Sequence, residues 1–576
     1  MDSPPRAFDA RRIRRHRQYG LAASESRTAR PAGSFQQALR LPCRAMPTAD
    51  APRPTAAYRP RINPWLIAPI VALAAFMEVL DISIANVSLP HIAGNLGASQ
   101  DESAWVLTSY LVTNAISMPV SGWISTTIGR RRFFLICIIG FTIASLLCGI
   151  APSLAALVFF RALQGAAGGG LQPTAQAILT DTFPPKQRGM AFAVYGISVV
   201  FAPALGPTLG GWITDNISWR WVFLLNVPVG AILVFLILAF IDDPPHLVSA
   251  RLDARRRGIR FDLLGFGFVA LGLGALQIVL DRGQEDDWLA SPLIATLVAV
   301  SALSLIALVV RELRAREPIV DLRLLGNRTF AVSSLLMFML GFVLLGSTFL
   351  VPAFVQELLG YTATDAGLVI TPGALMLVVL MPFVGRAIGR VDARLLIACG
   401  LTICGLALLW VSHFDLATDY LTVMLARVMQ ALGLAFLFIP INTEAFGSVP
   451  SAKVNNASAL INVCRNLGGS VGISIASTLL VRRSQFHHSM LVTNLHAGNP
   501  AYRSMLAQLT AHFAPIYGSA NAAAHALATI GFFVDQQSRL LAYLDAFWFF
   551  GWVFLAMVPI VFLMKAATGH GAPPAH

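Results

Sequence analysis

The sequence predicts an all-α membrane protein, a bundle of transmembrane helices, on three observations. The 576 residues are 56% hydrophobic and 12% charged, where soluble domains carry about 25% charged residues. Mean hydropathy is +0.67. Apolar runs of roughly 20 residues, the length that crosses a bilayer as helix, recur along the chain. These runs lack the alternating polarity of barrel strands, so helices are the expected spanning structure.

Residues 1–63 are read as an Arg- and Pro-rich tail, expected to be disordered, with 13 arginines before Asn63. The tail has no secretory signal pattern, and Met46 offers a second start beside Met1. Six spans are expected near 64–88, 103–124, 133–151, 154–178, 189–212 and 219–241, forming an N-terminal bundle over 64–241. A linker over 242–327 carries two more, near 262–281 and 290–310. The last six lie near 328–354, 366–386, 394–412, 418–441, 459–481 and 541–566, a C-terminal bundle over 328–566. Within it, 482–540 is expected outside the membrane and partly helical, since it holds apolar stretches such as Ala526 to Phe533. Residues 567–576 are a short tail. The fold class is therefore two six-helix bundles plus two inserted central helices, 14 transmembrane helices in all.

Lysines and arginines set the orientation. With the N-terminus inside, cytoplasmic loops and the C-tail hold 20 of them and the outer loops six. The positive-inside rule puts both termini in the cytoplasm. The net charge of +13 thus reflects topology and the basic tail, and no nucleic-acid partner is expected.

Three arginines fall inside spans: Arg161, Arg427 and Arg465. Two acids, Glu78 and Asp81, fall inside the first span, three residues apart and so on one helix face. A charge in a span costs about 2.5–3.5 kcal/mol on insertion scales, and such residues mark ion pathways and proton relays. Two carboxylates so close in low dielectric cannot both ionise easily, which suits a proton carrier. At 1.5 Å per residue Asp81 and Arg161 lie at similar depth, so a pair between them is geometrically possible. Such a pair admits two readings, a permanent structural bridge or a coupling element that protonation releases. Gln164, one turn from Arg161, is either a site residue or helix–helix glue.

Arg161-Ala-Leu-Gln164 in the fourth span resembles Arg427-Val-Met-Gln430 in the twelfth. Each would be the fourth span of its bundle, the pattern of a parallel-repeat transporter with its site between the halves. Arg427 has no acid in its own span and is expected to attract an anionic group or hold a carbonyl. Asn462 and Arg465, again three apart, are candidate cavity residues with a structural role equally open. Gly206, Pro207, Gly210 and Gly211 crowd the fifth span, for close packing and as a hinge.

Some chemistries are excluded. Gly468 to Gly472 and Gly265 to Ala270 fit a hydrolase and a dinucleotide pattern by letter, but both sit inside spans. None of the three lysines, Lys186, Lys453 and Lys565, closes a phosphate-binding loop. The six cysteines have no metal-ligand spacing. No catalytic residue, metal or cofactor is expected.

Several segments carry a family resemblance. Leu80 to Pro90 is similar to the first-span motif of the 14-span EmrB/QacA-type drug:proton antiporters of the major facilitator superfamily, with Asp81 as its acid. Gly122-Trp-Ile-Ser-Thr-Thr-Ile-Gly129-Arg130-Arg-Arg132 resembles the superfamily's cytoplasmic loop motif. Arg161 to Gly165 resembles the proton-translocation motif, and Gly196 to Gly211 the fifth-span antiporter motif. One departure stands out: Thr126 occupies the loop motif's usual acidic position, so the usual inter-helix charge pair cannot form from it. Gating is then expected to rest on Arg130 to Arg132 with helix ends or other acids.

The resemblance implies a major facilitator fold and a proton-coupled secondary transporter. It would export amphipathic drugs or toxic compounds by antiport across the inner membrane. Proton coupling would fall to Asp81, Glu78 and Arg161, and the cavity to Gln164, Arg427, Gln430, Asn462 and Arg465. Gating would involve Gly122, Gly129 and Arg130 with the fifth-span cluster. The implied partners are the bilayer, protons, a small-molecule substrate, and a periplasmic adaptor with an outer-membrane channel, for which 482–540 is the candidate contact. The alternatives are a dedicated exporter or importer of one metabolite (siderophore, sugar or fatty acid), or a non-transporting membrane sensor. The substrate and the number of protons per cycle are not legible in the sequence.

Overall fold

The computed structural model describes residues 63–243, 262–315, 318–388 and 390–565, all within one compact unit. The expected tails over 1–62 and 567–576, and the linker segment 244–261, lie outside the described residues.

Local signals set the helix ends. Asn63 caps α1 (Pro64–Leu96) with proline at its start, and Gly97 closes it in the left-handed region. A capping box between Ser99 and Glu102 opens α2 (Gln100–Ile128). Gly129, at φ 99° and ψ 144°, turns the chain into α3 (Arg130–Gly149), a conformation that a side chain would strain. The fourth span is broken: α4 (Leu154–Gly168) and α5 (Leu171–Thr182) meet at Gly169 and Gly170. Next comes α6 (Pro185–Asn216), bent by 45° in the Pro203–Pro207 region, where ring prolines remove backbone donors. The sixth span is α7 (Arg220–Leu224) followed by α8 (Asn226–Phe240).

The inserted pair is α9 (Leu263–Arg282) and α10 (Pro292–Arg314). The second bundle comprises α11 (Arg328–Glu357), α12 (Ala363–Ala387), α13 (Ala393–Val411), α14 (Tyr420–Gly447), α15 (Val454–Val492) and α17 (Ser519–Val561), with α16 (Pro500–Tyr517) between the last two. Helices thus stand at all fourteen expected places. Among the described residues eleven are long and apolar enough to cross a membrane, twelve with the bent α6. The two remaining, α2 and α15, are long enough but carry more polar side chains, several of them buried.

The two bundles pack by one plan. First rests on fifth (α1 on α6, α11 on α15), second on fourth (α2 on α4, α12 on α14), and third on sixth (α3 on α8, α13 on α17). Between the halves, α6 meets α12 and α2 meets α15, second against fifth both ways. The inserted α9 packs on α2 and α15, at one edge of that seam.

Residues 482–540, expected outside the membrane and partly helical, are largely helical: α15 runs to Val492, α17 starts at Ser519, and α16 fills most of the gap. At 1.5 Å per residue the 39 residues of α15 and the 43 of α17 reach about 58 and 64 Å. A bilayer with headgroups is about 40–45 Å thick, so both helices project beyond it.

We call the side where α1 begins the near face and the opposite side the far face. Near the near face the halves are in contact. A Cβ on Gly122 would lie 2.7 Å from Asn456 Oδ1, so α2 and α15 touch there. Gly189 and Gly385 bring α6 and α12 equally close, and Phe192 stacks on Phe446 at 5.4 Å. Within the second bundle, Gly468 and Gly472 lie against the backbone carbonyls of Phe338 and Phe342, which seats α15 on α11. Gly472→Leu should therefore cost about 1–3 kcal/mol by overpacking. Thermal unfolding of the purified variant would show a lowered midpoint, and an unchanged midpoint would contradict this packing.

Candidate functional site

Asp81 and Arg161 are both buried and meet. Arg161 Nη1 donates to Asp81 Oδ2 at 2.5 Å, from α4 to α1. The other oxygen, Oδ1, accepts from Gln164 Nε2 at 2.9 Å and from Asn226 Nδ2 at 2.7 Å. Arg161 also donates to Gln164 Oε1 at 2.8 Å and, through Nε, to the Val106 carbonyl at 3.1 Å. Its guanidinium lies 4.3 Å from the Tyr110 ring centre, a cation–π contact. Ser145 closes the network, accepting from Gln164 at 3.1 Å and Asn226 at 3.0 Å while donating to the Phe223 carbonyl at 2.9 Å. Five spans thus converge on one carboxylate. Three donors on Asp81, one charged, are what a buried carboxylate needs.

Glu78 lies one turn closer to the near face and is fully buried. Its surroundings differ. Oε1 accepts from Asn114 Nδ2 at 3.1 Å, and Oε2 has no hydrogen-bond partner. Gln172 of α5 and Arg465 of α15 lie beside it. Arg465 in turn hydrogen-bonds Gln172 across the seam and Asn466 at 3.1 Å. Of the two neighbouring acids, one is saturated with donors and the other is not.

The repeat seen in the sequence has a structural counterpart. Arg427 Nη1 donates to Gln430 Oε1 as Arg161 does to Gln164. Gln430 Nε2 then donates to Ser347 Oγ at 2.8 Å. Gln164 and Asp81 are 83 residues apart, as are Gln430 and Ser347. Ser347 therefore stands in the second half where Asp81 stands in the first. Arg427 lines a small cavity of about 30 Å³ between α6, α11, α12 and α14. This cavity shares Pro203, Thr348 and Ile370 with a larger cleft of about 460 Å³ near the far-face ends of α1, α6, α11 and α12.

Asn462 and Arg465 lie elsewhere, on the seam and not on the walls of these two cavities. Asn462 Nδ2 donates to Gln176 Oε1 at 2.6 Å, and Ser458 Oγ to the Pro173 carbonyl at 2.6 Å, both from α15 to α5. Gln164 is buried in the Asp81 network. Gly206 and Gly210 seat α6 on Ser83 and Ile84 of α1, while Pro207 and Gly211 line the far cleft. Arg130 is buried, donates to the Ala177 carbonyl at 2.9 Å and pairs with Asp181 at the end of α5. Thr126, in the place of the usual acid, accepts from Asn455 Nδ2 of the opposite half at 2.9 Å. A neutral hydrogen bond occupies the position where a charge pair is usual.

Sequence reasoning missed Asn226, Ser145, Asn114, Ser347 and Asn455. Asn226 carried a signal, a lone polar residue in the apolar run Val222 to Pro228. The others are small polar residues of a kind that membrane helices also use simply as packing glue.

Comparison with known proteins gives a consistent picture. Residues 71–473 match the family described as Major Facilitator Superfamily. The chain is 35% identical over 500 residues to the multidrug export protein EmrB of Haemophilus influenzae, covering 87% of this chain and 95% of that one. It is 36% identical over 506 residues to the fatty acid resistance protein FarB of Neisseria gonorrhoeae, covering 88% and 96%. Among solved structures, the proton:xylose symporter XylE superposes with a TM-score of 0.55 at 13% identity, over 88% of this chain and 97% of that one, a likeness of fold.

Arg161→Met leaves Asp81 buried without its cation and should destabilise the protein by about 3–5 kcal/mol. Asp81→Leu added to the same chain should recover most of that loss. Unfolding of the purified single and double variants checks this; equal losses would show that the two side chains are not energetically coupled.

Proposed function

Since the chain belongs to the major facilitator superfamily, in the group of the EmrB multidrug export proteins, we propose that it exports amphipathic drugs in exchange for protons. The carrying observation is the contrast between two buried acids on one helix face. Asp81 has three donors and an arginine partner. Glu78 has one donor and one unpartnered oxygen. A proton on Asp81 would have to displace existing bonds, whereas a proton on Glu78 occupies a vacant position. Glu78 is therefore the carrier and Asp81–Arg161 the fixed frame that holds it.

Glu78 also sits where a charge can act on both halves. It belongs to α1, and Arg465, beside it, belongs to α15. Ionised Glu78 attracts Arg465 across the seam, and protonated Glu78 does not. That difference is the differential interaction a coupled conformational change requires.

The positive-inside rule assigns the near face to the cytoplasm and both termini with it, in the inner membrane. The conformation described is then closed inside and open outside. In the proposed cycle substrate leaves through the far cleft and Glu78 takes a proton. The near-face bonds Asn455–Thr126 and Asn462–Gln176 part as the halves rock. Glu78 releases its proton inside, and the vacated cavity loads the next substrate. The projecting ends of α15 and α17 with α16 face the periplasm, where they form the contact surface for an adaptor protein.

Proteoliposomes with an interior pH dye test the coupling. Glu78→Gln should reduce substrate-evoked proton flux about a hundredfold or more, the range for losing a positioned proton-transfer group. Substrate binding to the variant should persist. Full flux through Glu78→Gln would remove Glu78 from the coupling step.

A further inference from the structure

We propose that Arg427 binds a single-atom anion, a halide of chloride's size, in the small cavity of the second half. The inference goes beyond the transport reading and does not rest on it.

The two halves repeat a single arrangement, with one difference. In the first half Arg161 and Gln164 both address Asp81. In the second half Gln430 addresses Ser347 at the corresponding position, and Ser347 carries no charge. Arg427 gives Nη1 to Gln430, while its Nε and Nη2 bond to no group among the described residues. The residue is only 8% exposed. No acidic side chain lines its cavity. The acid in the lining of the larger cleft, Asp215, lies 3.6 Å from His91. An arginine in a protein does not shed its proton, and a buried charge without compensation is costly. The second half thus keeps the cation of the first and lacks its counter-charge.

The surroundings define the ion. The cavity holds about 30 Å³, and one water needs about 10–15 Å³. That space admits a single-atom anion and excludes a phosphate, a sulfate or an organic acid. Leu344, Ile370, Leu377 and Leu434 make most of the wall apolar. The Thr348 hydroxyl donates to the Leu344 carbonyl at 2.7 Å, and the Gln430 amide donates to Ser347. The guanidinium therefore supplies the free donors. A spherical ion accepts from any direction, and a halide, more weakly hydrated than a carboxylate, tolerates apolar walls. The shared residues Pro203, Thr348 and Ile370 give it a way in from the far-face cleft. Bound there, it is to Arg427 what Asp81 is to Arg161.

The test is equilibrium binding of radioactive chloride to the purified full-length protein in nanodiscs of zwitterionic lipid, with gluconate holding the ionic strength at about 0.15 M. The wild type should bind chloride saturably, and bromide but not gluconate should displace it. Arg427→Gln should weaken binding about tenfold or more, the size expected for a lost hydrogen bond to a charged group. Arg427→Lys keeps the charge and should retain binding. Ser347→Asp keeps the arginine and supplies an internal carboxylate. It should abolish chloride binding and raise the thermal midpoint measured in gluconate. No saturable binding by the wild type overturns the proposal and leaves the cavity to water. Unchanged affinity in Arg427→Gln, or full binding by Ser347→Asp, overturns it equally. If Arg427→Gln does not fold, the contrast between Arg427→Lys and Ser347→Asp decides alone.

Discussion

A charge placed in hydrocarbon must find its partner inside the protein, and the first half of this molecule is organised around that demand. Asp81 cannot be hydrated, so α4 brings it two donors and α8 a third. Those donors need positioning in turn. Gln164 and Asn226 both lean on Ser145 of α3, and Arg161 is held by a carbonyl of α2 and the ring of Tyr110. The helices therefore have one register in which both oxygens of Asp81 are satisfied, and the polar network specifies it more sharply than apolar packing alone would. Glu78, one turn away, is left out of that satisfaction.

The second half repeats the scaffold and changes its content. A serine replaces the acid, and the arginine that would have been neutralised faces a cavity instead. One repeated geometry thus holds an ion pair in one bundle and a neutral hydrogen bond in the other.

Much of this was legible in the chain. Fourteen apolar runs, their loop charges and the two Arg-x-x-Gln segments announced a duplicated bundle, and depth along the helices allowed the Asp81–Arg161 pair. The rest was hidden for identifiable reasons. Asn114 and Ser145 serve on helices whose rotation the sequence does not give, and a buried asparagine in a span often does nothing more than bind a neighbouring helix. Ser347 became informative only once its spacing to Gln430 was seen to match that of Asp81 to Gln164. The segment 482–540 showed its helical character only in apolar stretches such as Ala526 to Phe533, because helices exposed to water on one side need no continuous apolar run. Asn462 and Arg465 were read as a pair on one face, which they are, but that face meets the other half and not the cavity.

The seam itself has one further property. The hydrogen bonds that join the halves near the near face, Asn455 to Thr126, Asn462 to Gln176 and Ser458 to the Pro173 carbonyl, are all between neutral groups. The direct ion pairs of the nearby helix ends, Arg130 with Asp181 and Arg131 with Asp242, each stay within one half. Breaking these three bonds does not pull opposite charges apart, so dissolved ions have little to screen in them. That part of the contact between the halves is thereby shielded from the salinity of the surrounding fluid.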